Sequence, residues 1–229
     1  MAAREQIDKA NAKARELLKA AGIVILIILL FIYTIICAFS YVNAVSSNIE
    51  STVFRLHVIA NSDSKEDQNL KYIVRDIILK YINEISKTAT SKEEVIQIAK
   101  DNINTIEELA QKTVYENGFN YDVNVRIGNF AFPTKKYGDI SLPAGFYDAL
   151  RVEIGSASGQ NWWCVMFPPL CFVDVSSGVV PDESKEFLQE SLSSEEYSLL
   201  SENQNNPDMN FKFRIVEIFQ NIGIKLAQS

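Results

Sequence analysis

Hydrophobic and polar positions follow three different periods along this chain, and each period predicts its own kind of element. Residues 20–42 (AAGIVILIILLFIYTIICAFSYV) contain no charge and are apolar on every side. About 20 such residues are enough for a helix to cross a bilayer. Residues 53–60 (VFRLHVIA) alternate with period two, placing Phe54, Leu56, Val58 and Ala60 on one face of a strand. Arg55, His57, Ile59 and Asn61 take the other face. Leu70, Ile73, Val74, Ile77, Ile78, Tyr81 and Ile85 then recur at helical spacing, behind a turn in which Asp63 or Ser64 is the N-cap. A second long helix is predicted over 91–118, opened by a Ser91/Glu94 capping box and closed by Gly118.

Residues 121–127 read as a half-buried strand, with Tyr121, Val123, Val125 and Ile127 inward. Residues 128–148 keep no period and carry many turn formers. They are expected to form an ordered loop packed by its own aromatics, Phe130, Phe132, Tyr137, Phe146 and Tyr147. Alternation resumes over 149–154, where Arg151 and Glu153 face Asp122, Asn124 or Arg126 across a ladder. The Gly/Ser link 155–161 most simply makes a hairpin to the next strand. In that strand Trp162, Cys164 and Met166 alternate with Trp163, Val165 and Phe167. Both faces are apolar, which predicts a central strand covered above and below. Pro168-Pro169 stops it.

The rest reads as loop to Pro181, two short acidic helical pieces around 187–192 and 195–200, and a polar break at 203–208. A closing helix over 211–226 follows, with Phe211, Ile215, Ile218, Phe219, Ile222 and Leu226 on one side. The order of elements predicts an α+β fold, a small mostly antiparallel or mixed sheet of about four strands covered by helices. One N-terminal transmembrane or signal helix precedes it, joined by a connector at 43–52 to an extracytoplasmic domain at 53–229.

Charge sets the topology. Arg4, Lys9, Lys13, Arg15 and Lys19 precede the apolar run, and no Lys or Arg follows until Arg55, so the amino terminus stays in the cytoplasm and the remainder is exported. The run exceeds a usual secretory core, which favours an uncleaved anchor. Val42-Asn43-Ala44 nevertheless offers a signal-peptidase site, so both outcomes stand. The chain carries −7; without the five cations and three anions of residues 1–19 the rest carries −9. That excludes nucleic acid as a partner and argues against adsorption to anionic lipid or wall polymers.

No P-loop, GxGxxG or HExxH occurs, and one histidine with three dispersed cysteines makes no standard zinc site. No metal, cofactor or small-molecule substrate is therefore expected. Cys164 and Cys171 lie in the exported part, where they form either a disulfide or two buried thiols. Cys37 sits in the apolar run. A wall-associated hydrolase or transpeptidase using Cys164 as nucleophile and His57 as base is the alternative reading, although burial in an apolar strand raises a thiol pKa and makes it inert. Asp63, Glu66 and Asp67 are explained by the helix N-terminus they begin. Asp139, Asp148 and Asp174 are isolated. No catalytic residue is assigned.

Two blocks, FRLHVIANSDSKEDQNLKYIVRDIIL and RIGNFAFPTKKYGDISLPAGFYDALRVEIGSASGQNWWCVMFPPLCFVD, together with the single amino-terminal apolar segment, resemble the stage II sporulation protein R family. The resemblance covers roughly residues 53–175. It implies a non-enzymatic protein made in the forespore and exported into the space between forespore and mother-cell membranes. It further implies a partner there, a membrane-embedded aspartic protease of the mother cell (the stage II sporulation GA protein), which processes the sigma E precursor. The resemblance brings no catalytic residues. The contact surface expected from exposure, aromatic and Arg content comprises Arg55, His57, Asn61, Asp63 and the aromatics of 130–147.

Overall fold

The computed structural model describes residues 2–171, 180–201 and 207–228. It divides into two compact units, Met1–Ala44 and Val45–Ser229. Helix α1 (Ala2–Thr52) begins in the first, where its apolar stretch is long enough to cross a membrane.

The second unit is α+β. Its elements are β1 (Phe54–Ile59), α2 (Lys65–Ile85), α3 (Lys92–Asp101), α4 (Ile103–Glu116), β2 (Val123–Phe132), β3 (Lys135–Tyr137), β4 (Ile140–Leu142), β5 (Gly145–Ile154), β6 (Asn161–Phe167), α5 (Asp182–Ser191), α6 (Ser194–Leu200) and α7 (Pro207–Gln228). Strands pair in the order β2-β5-β1-β6, with β3 and β4 as a separate hairpin. Strand β1 runs parallel to β5 and antiparallel to β6.

The connector at 43–52 is helical, and Val45, Ile49 and Val53, which recur every fourth residue, are buried. Three expectations are corrected here. The tryptophan strand is an edge, and the centre belongs to β1, every residue of which is buried. Strands β5 and β6 form no hairpin. Their link instead crosses the end of β1, where Ser158 and Gly159 donate backbone N–H groups to the carbonyls of Asn61 and Ala60 at 3.2 and 2.9 Å. Gly159 is required there, since a Cβ would stand 2.2 Å from the Ser62 carbonyl oxygen. Finally, 128–148 is mostly strand. Strands β2 and β5 pair over ten positions, from Val123↔Ile154 to Phe132↔Gly145, and the β3–β4 hairpin fills the gap. Gly128, Asn129 and Ala131 break the apolar period without breaking the ladder.

The helix expected over 91–118 is two helices that part at Asn102, whose side chain accepts from the Tyr81 hydroxyl at 3.1 Å. Ser91 caps α3, while the Glu94 carboxylate reaches one residue further back than a capping box, to the Thr90 N–H at 2.7 Å. Helices α2–α4 bury one face of the sheet. Leu56, Val58, Leu150, Val152 and Val125 meet Val74, Ile78, Ala99 and Ile106 there. The loop expected past Cys171 and the break at 203–208 fall largely on 172–179 and 202–206, outside the described residues, as does Asp174.

Candidate functional site

The other face of the sheet is built from the alternate residues of the same strands. In register they are Arg55, His57 and Ile59 on β1, Tyr147, Ala149, Arg151 and Glu153 on β5, Arg126 and Phe130 on β2, and Asn161 and Trp163 on β6. One end of this face is closed and the other open.

At the closed end, Arg55 is 0% exposed. Its guanidinium carbon lies 4.0 Å from the centre of the Phe132 ring and 4.6 Å from that of Tyr147. Its Nη2 donates to the Tyr137 hydroxyl at 2.8 Å, while Nε and Nη1 find no acceptor among the described residues. Stacking on ring faces is what holds a buried guanidinium without a carboxylate. Burial raises the pKa of both tyrosines, so they stay neutral. The Tyr147 hydroxyl donates to the Pro143 carbonyl at 2.8 Å.

Next to it, His57 is 4% exposed, stacked on Trp163 at 3.7 Å between ring centres. Its Nε2 lies 2.6 Å from Asn161 Oδ1 and donates to it, which leaves Nδ1 an unprotonated, buried acceptor. Desolvation, reinforced by Arg151 and Arg55 and opposed by Asn161, lowers its pKa to about 4. The ring is neutral at physiological pH.

Towards the open end, Arg126 donates from Nη2 to Glu153 Oε1 at 2.8 Å, and Arg151 Nη2 forms an ion pair with the same oxygen at 2.8 Å. Two guanidiniums on one carboxylate leave a net positive charge in an acidic domain. The Phe130 ring lies beside both, 5.2 Å from the Arg151 and 5.7 Å from the Arg126 guanidinium carbon. Half-buried Trp163 and Phe130 and exposed Arg126 and Asn161 make this a surface of residue types on which protein contacts concentrate their energy.

Of the residues expected to contact a partner, Arg55, His57, Phe132, Tyr137 and Tyr147 are buried. Their placement removes the exposure on which that expectation rested, and they support the face from beneath. Asn61 and Asp63 bind the β5–β6 link: Asn61 Oδ1 accepts from the Ser156 N–H and Asp63 from the Gln160 N–H, at 2.9 and 2.7 Å. Phe130 and Phe146 are half-buried. Sequence reasoning missed Arg126, Arg151, Glu153, Asn161 and Trp163 as one surface. The signal was their shared parity with His57, legible only once the strand order is known.

Cys164 and Cys171 are joined in a disulfide. Cys164 is 2% exposed and pairs in register with Leu56, on the helix-covered face. His57 is on the opposite face, so the sheet itself separates the two members of the nucleophile–base reading. Among the described residues no group of three or more His, Cys, Asp or Glu gathers to hold a metal ion. A cleft of about 340 Å³ lies beside the β3–β4 hairpin, lined by Thr134, Leu200, Phe213 and Glu217 among others, and it contains neither histidine nor cysteine.

The profile of the Stage II sporulation protein R family matches residues 50–177, more than half of the chain and all four strands of the main sheet. The chain belongs to this family. Stage II sporulation protein R of Bacillus subtilis (strain 168) is 40% identical over 138 residues, which are 60% of this chain and 62% of that protein. The similarity thus spans less than two thirds of the relative's length. No solved structure matches the chain. The family is named for sporulation and not for an enzymatic reaction. Helices α5–α7 lie beyond the matched residues.

Proposed function

We propose that this protein is an exported signal of endospore formation that activates a membrane-embedded aspartic protease of the mother cell, the stage II sporulation GA protein, which then processes the sigma E precursor. The observation that carries the reading is family membership over residues 50–177, the stretch that builds the sheet with its open Arg–Phe–Trp face. An apolar helix near the amino terminus supports delivery of the domain to the space between the two membranes. Residues 20–42 serve there as anchor or signal.

The domain acts by binding. A ligand shifts a partner's equilibrium only by its differential affinity for the active arrangement, and moving a protease from nearly all inactive to nearly all active takes about 5.5 kcal/mol of such difference. Arg126, Phe130, Arg151, Glu153, Asn161 and Trp163 supply the contact. The buried aromatic–arginine layer keeps them rigid, so little ordering entropy is lost on binding. The test is reconstitution in a non-sporulating bacterium that expresses the protease and the sigma-factor precursor. Export of this chain is expected to trigger cleavage of the precursor. Exported, folded protein without cleavage overturns the reading.

A further inference from the structure

The four-stranded sheet ends in two free edges, β2 and β6, and the longer uncovered run lies on β2. A free edge presents N–H and C=O groups with no ladder to join, which proteins ordinarily cover or charge. On β6, the Val165 carbonyl accepts from the Leu170 N–H at 3.2 Å and the Trp163 carbonyl from the Tyr137 hydroxyl at 3.3 Å. On the first half of β2, helix α4 does the covering. The Val123 and Val125 N–H groups donate to Gln111 Oε1 and Glu107 Oε2 at 2.8 and 3.0 Å.

Those two bonds also fix the parity of the strand. Ile127, Asn129 and Ala131 follow at the same parity, in a ladder that runs unbroken to Phe132↔Gly145, so their N–H and C=O groups also point away from β5. They have no hydrogen-bond partner among the described residues.

The side chains beside this run set the chemistry of its occupant. On the open face the row along the edge is Arg126, Gly128 and Phe130. The Phe130 ring folds back over Gly128, where a Cβ would stand 3.3 Å from it. Arg126 and Arg151 share the one carboxylate of Glu153, so a positive charge is left over. On the other face Asn129 stands opposite Asp148, whose charge is met by Lys92 at 2.8 Å. A strand laid along the edge would set alternate side chains directly against Arg126 and the Phe130 ring.

We infer that the β2 edge takes up an extended acidic segment of a partner protein as a further strand, hydrogen-bonded to Ile127, Asn129 and Ala131, with a carboxylate against Arg126. This deepens the proposed function and rests on its assignment of the Arg126–Phe130 face. Backbone pairing supplies the affinity, and the surplus guanidinium selects an acidic sequence.

The probe for the test is a fluorescein-labelled decapeptide of alternating glutamate and valine, titrated by anisotropy against the full chain in nonionic detergent micelles. It is expected to bind about tenfold or more tighter than its lysine–valine counterpart. N-methylation of one alternate set of its amides, the set turned to β2, is expected to weaken binding about tenfold or more, and methylation of the other set to leave it within about twofold. Asn129→Pro removes an N–H that the ladder does not use and is expected to weaken binding about tenfold or more, with the fold intact by circular dichroism. The methylated probes ask the same question without altering the protein. Binding that is indifferent to which set is methylated, or that survives Asn129→Pro, overturns the inference. So does equal affinity for the lysine probe, or no binding of the glutamate one. A chain that triggers precursor cleavage in the reconstituted assay but fails these titrations refutes the edge alone. One that passes them and triggers no cleavage refutes the protease reading alone.

Discussion

The two faces of the central sheet are made by the same strands with opposite chemistry. Leu56, Val58, Leu150 and Val152 point to the helix-covered face, and Arg55, His57, Tyr147 and Arg151 to the other. Both faces bury β1 completely. One does so by aliphatic packing against α2–α4, which is non-directional and tolerant of modest reshaping. The other relies on stacked rings around a guanidinium and on a neutral imidazole with a single hydrogen bond. The first face specifies that the domain folds, and the second shapes what it presents. The positive charge shared by Arg126 and Arg151 lies on the second face, where Arg126 is exposed and Arg151 half-buried.

The largest effect separating the faces is on stability. Leu56→Ala is expected to cost about 2–5 kcal/mol, because a fully buried side chain leaves a cavity under three helices. Chemical denaturation measures it, and a cost near zero would show that the helix layer is not the organising core.

The next contrast is in pH dependence. His57 has a folded pKa near 4 against 6.5 ordinarily. The unfolded chain takes up a proton between these values that the folded one refuses, so its contribution falls as pH drops through that window. Glu50, half-buried near the end of α1 and accepting from the Phe146 N–H at 3.2 Å, is pushed the other way by burial, from 4.5 to about 7. The folded chain holds its proton between those values, and stability falls as pH rises through them. The two trends oppose each other between about 4.5 and 6.5. His57→Gln is expected to leave stability declining steadily from pH 4.5 to 7, and Glu50→Gln to leave it declining from pH 6.5 to 4. The His57 trend amounts to about 3 kcal/mol and that of half-buried Glu50, screened by solvent, to less, read from melting curves across pH. Parallel profiles for the two variants would contradict the assignment.

A smaller effect probes the arginine. Arg55→Lys is expected to cost about 2 kcal/mol, because an ammonium retains the buried charge and loses the flat stack. Arg55→Met keeps the volume, loses the charge and is expected to cost less than about 1 kcal/mol. The reverse order would mean that the charge and not the plane is what the aromatic layer holds.

Much of this fold is readable from periodicity. The α2 stripe, the Ser64 and Ser91 caps, the alternation of β2 and the pairing of Arg126 with Glu153 all follow from local spacing. Strand order does not. Residues 53–60 and 162–167 both read as apolar, and nothing local says which lies in the middle; the polar contacts of Asn61 and Asp63 with the link 155–160 decide it from far along the chain. The strands through 128–148 stayed hidden because Gly128, Asn129 and Ala131 interrupt the apolar alternation while the backbone ladder continues. The contact face stayed hidden for the first of these reasons, since Arg126, Arg151 and Trp163 meet only when β1 separates β5 from β6. Exposure was misjudged at Arg55 and His57 because polar residues on a strand are ordinarily outward, and a cage of rings inverts that rule here.

The most direct test compares a charge reversal on each face of the domain in the reconstituted cleavage assay. Arg126→Glu alters the open sheet face, and Lys112→Glu alters an exposed cation on α4. The account predicts at least a roughly tenfold loss of sigma-factor precursor cleavage for Arg126→Glu and none for Lys112→Glu, with melting temperatures unchanged in both. Wild-type cleavage by Arg126→Glu, with the protein exported and folded, would contradict the claim that the domain signals through this face.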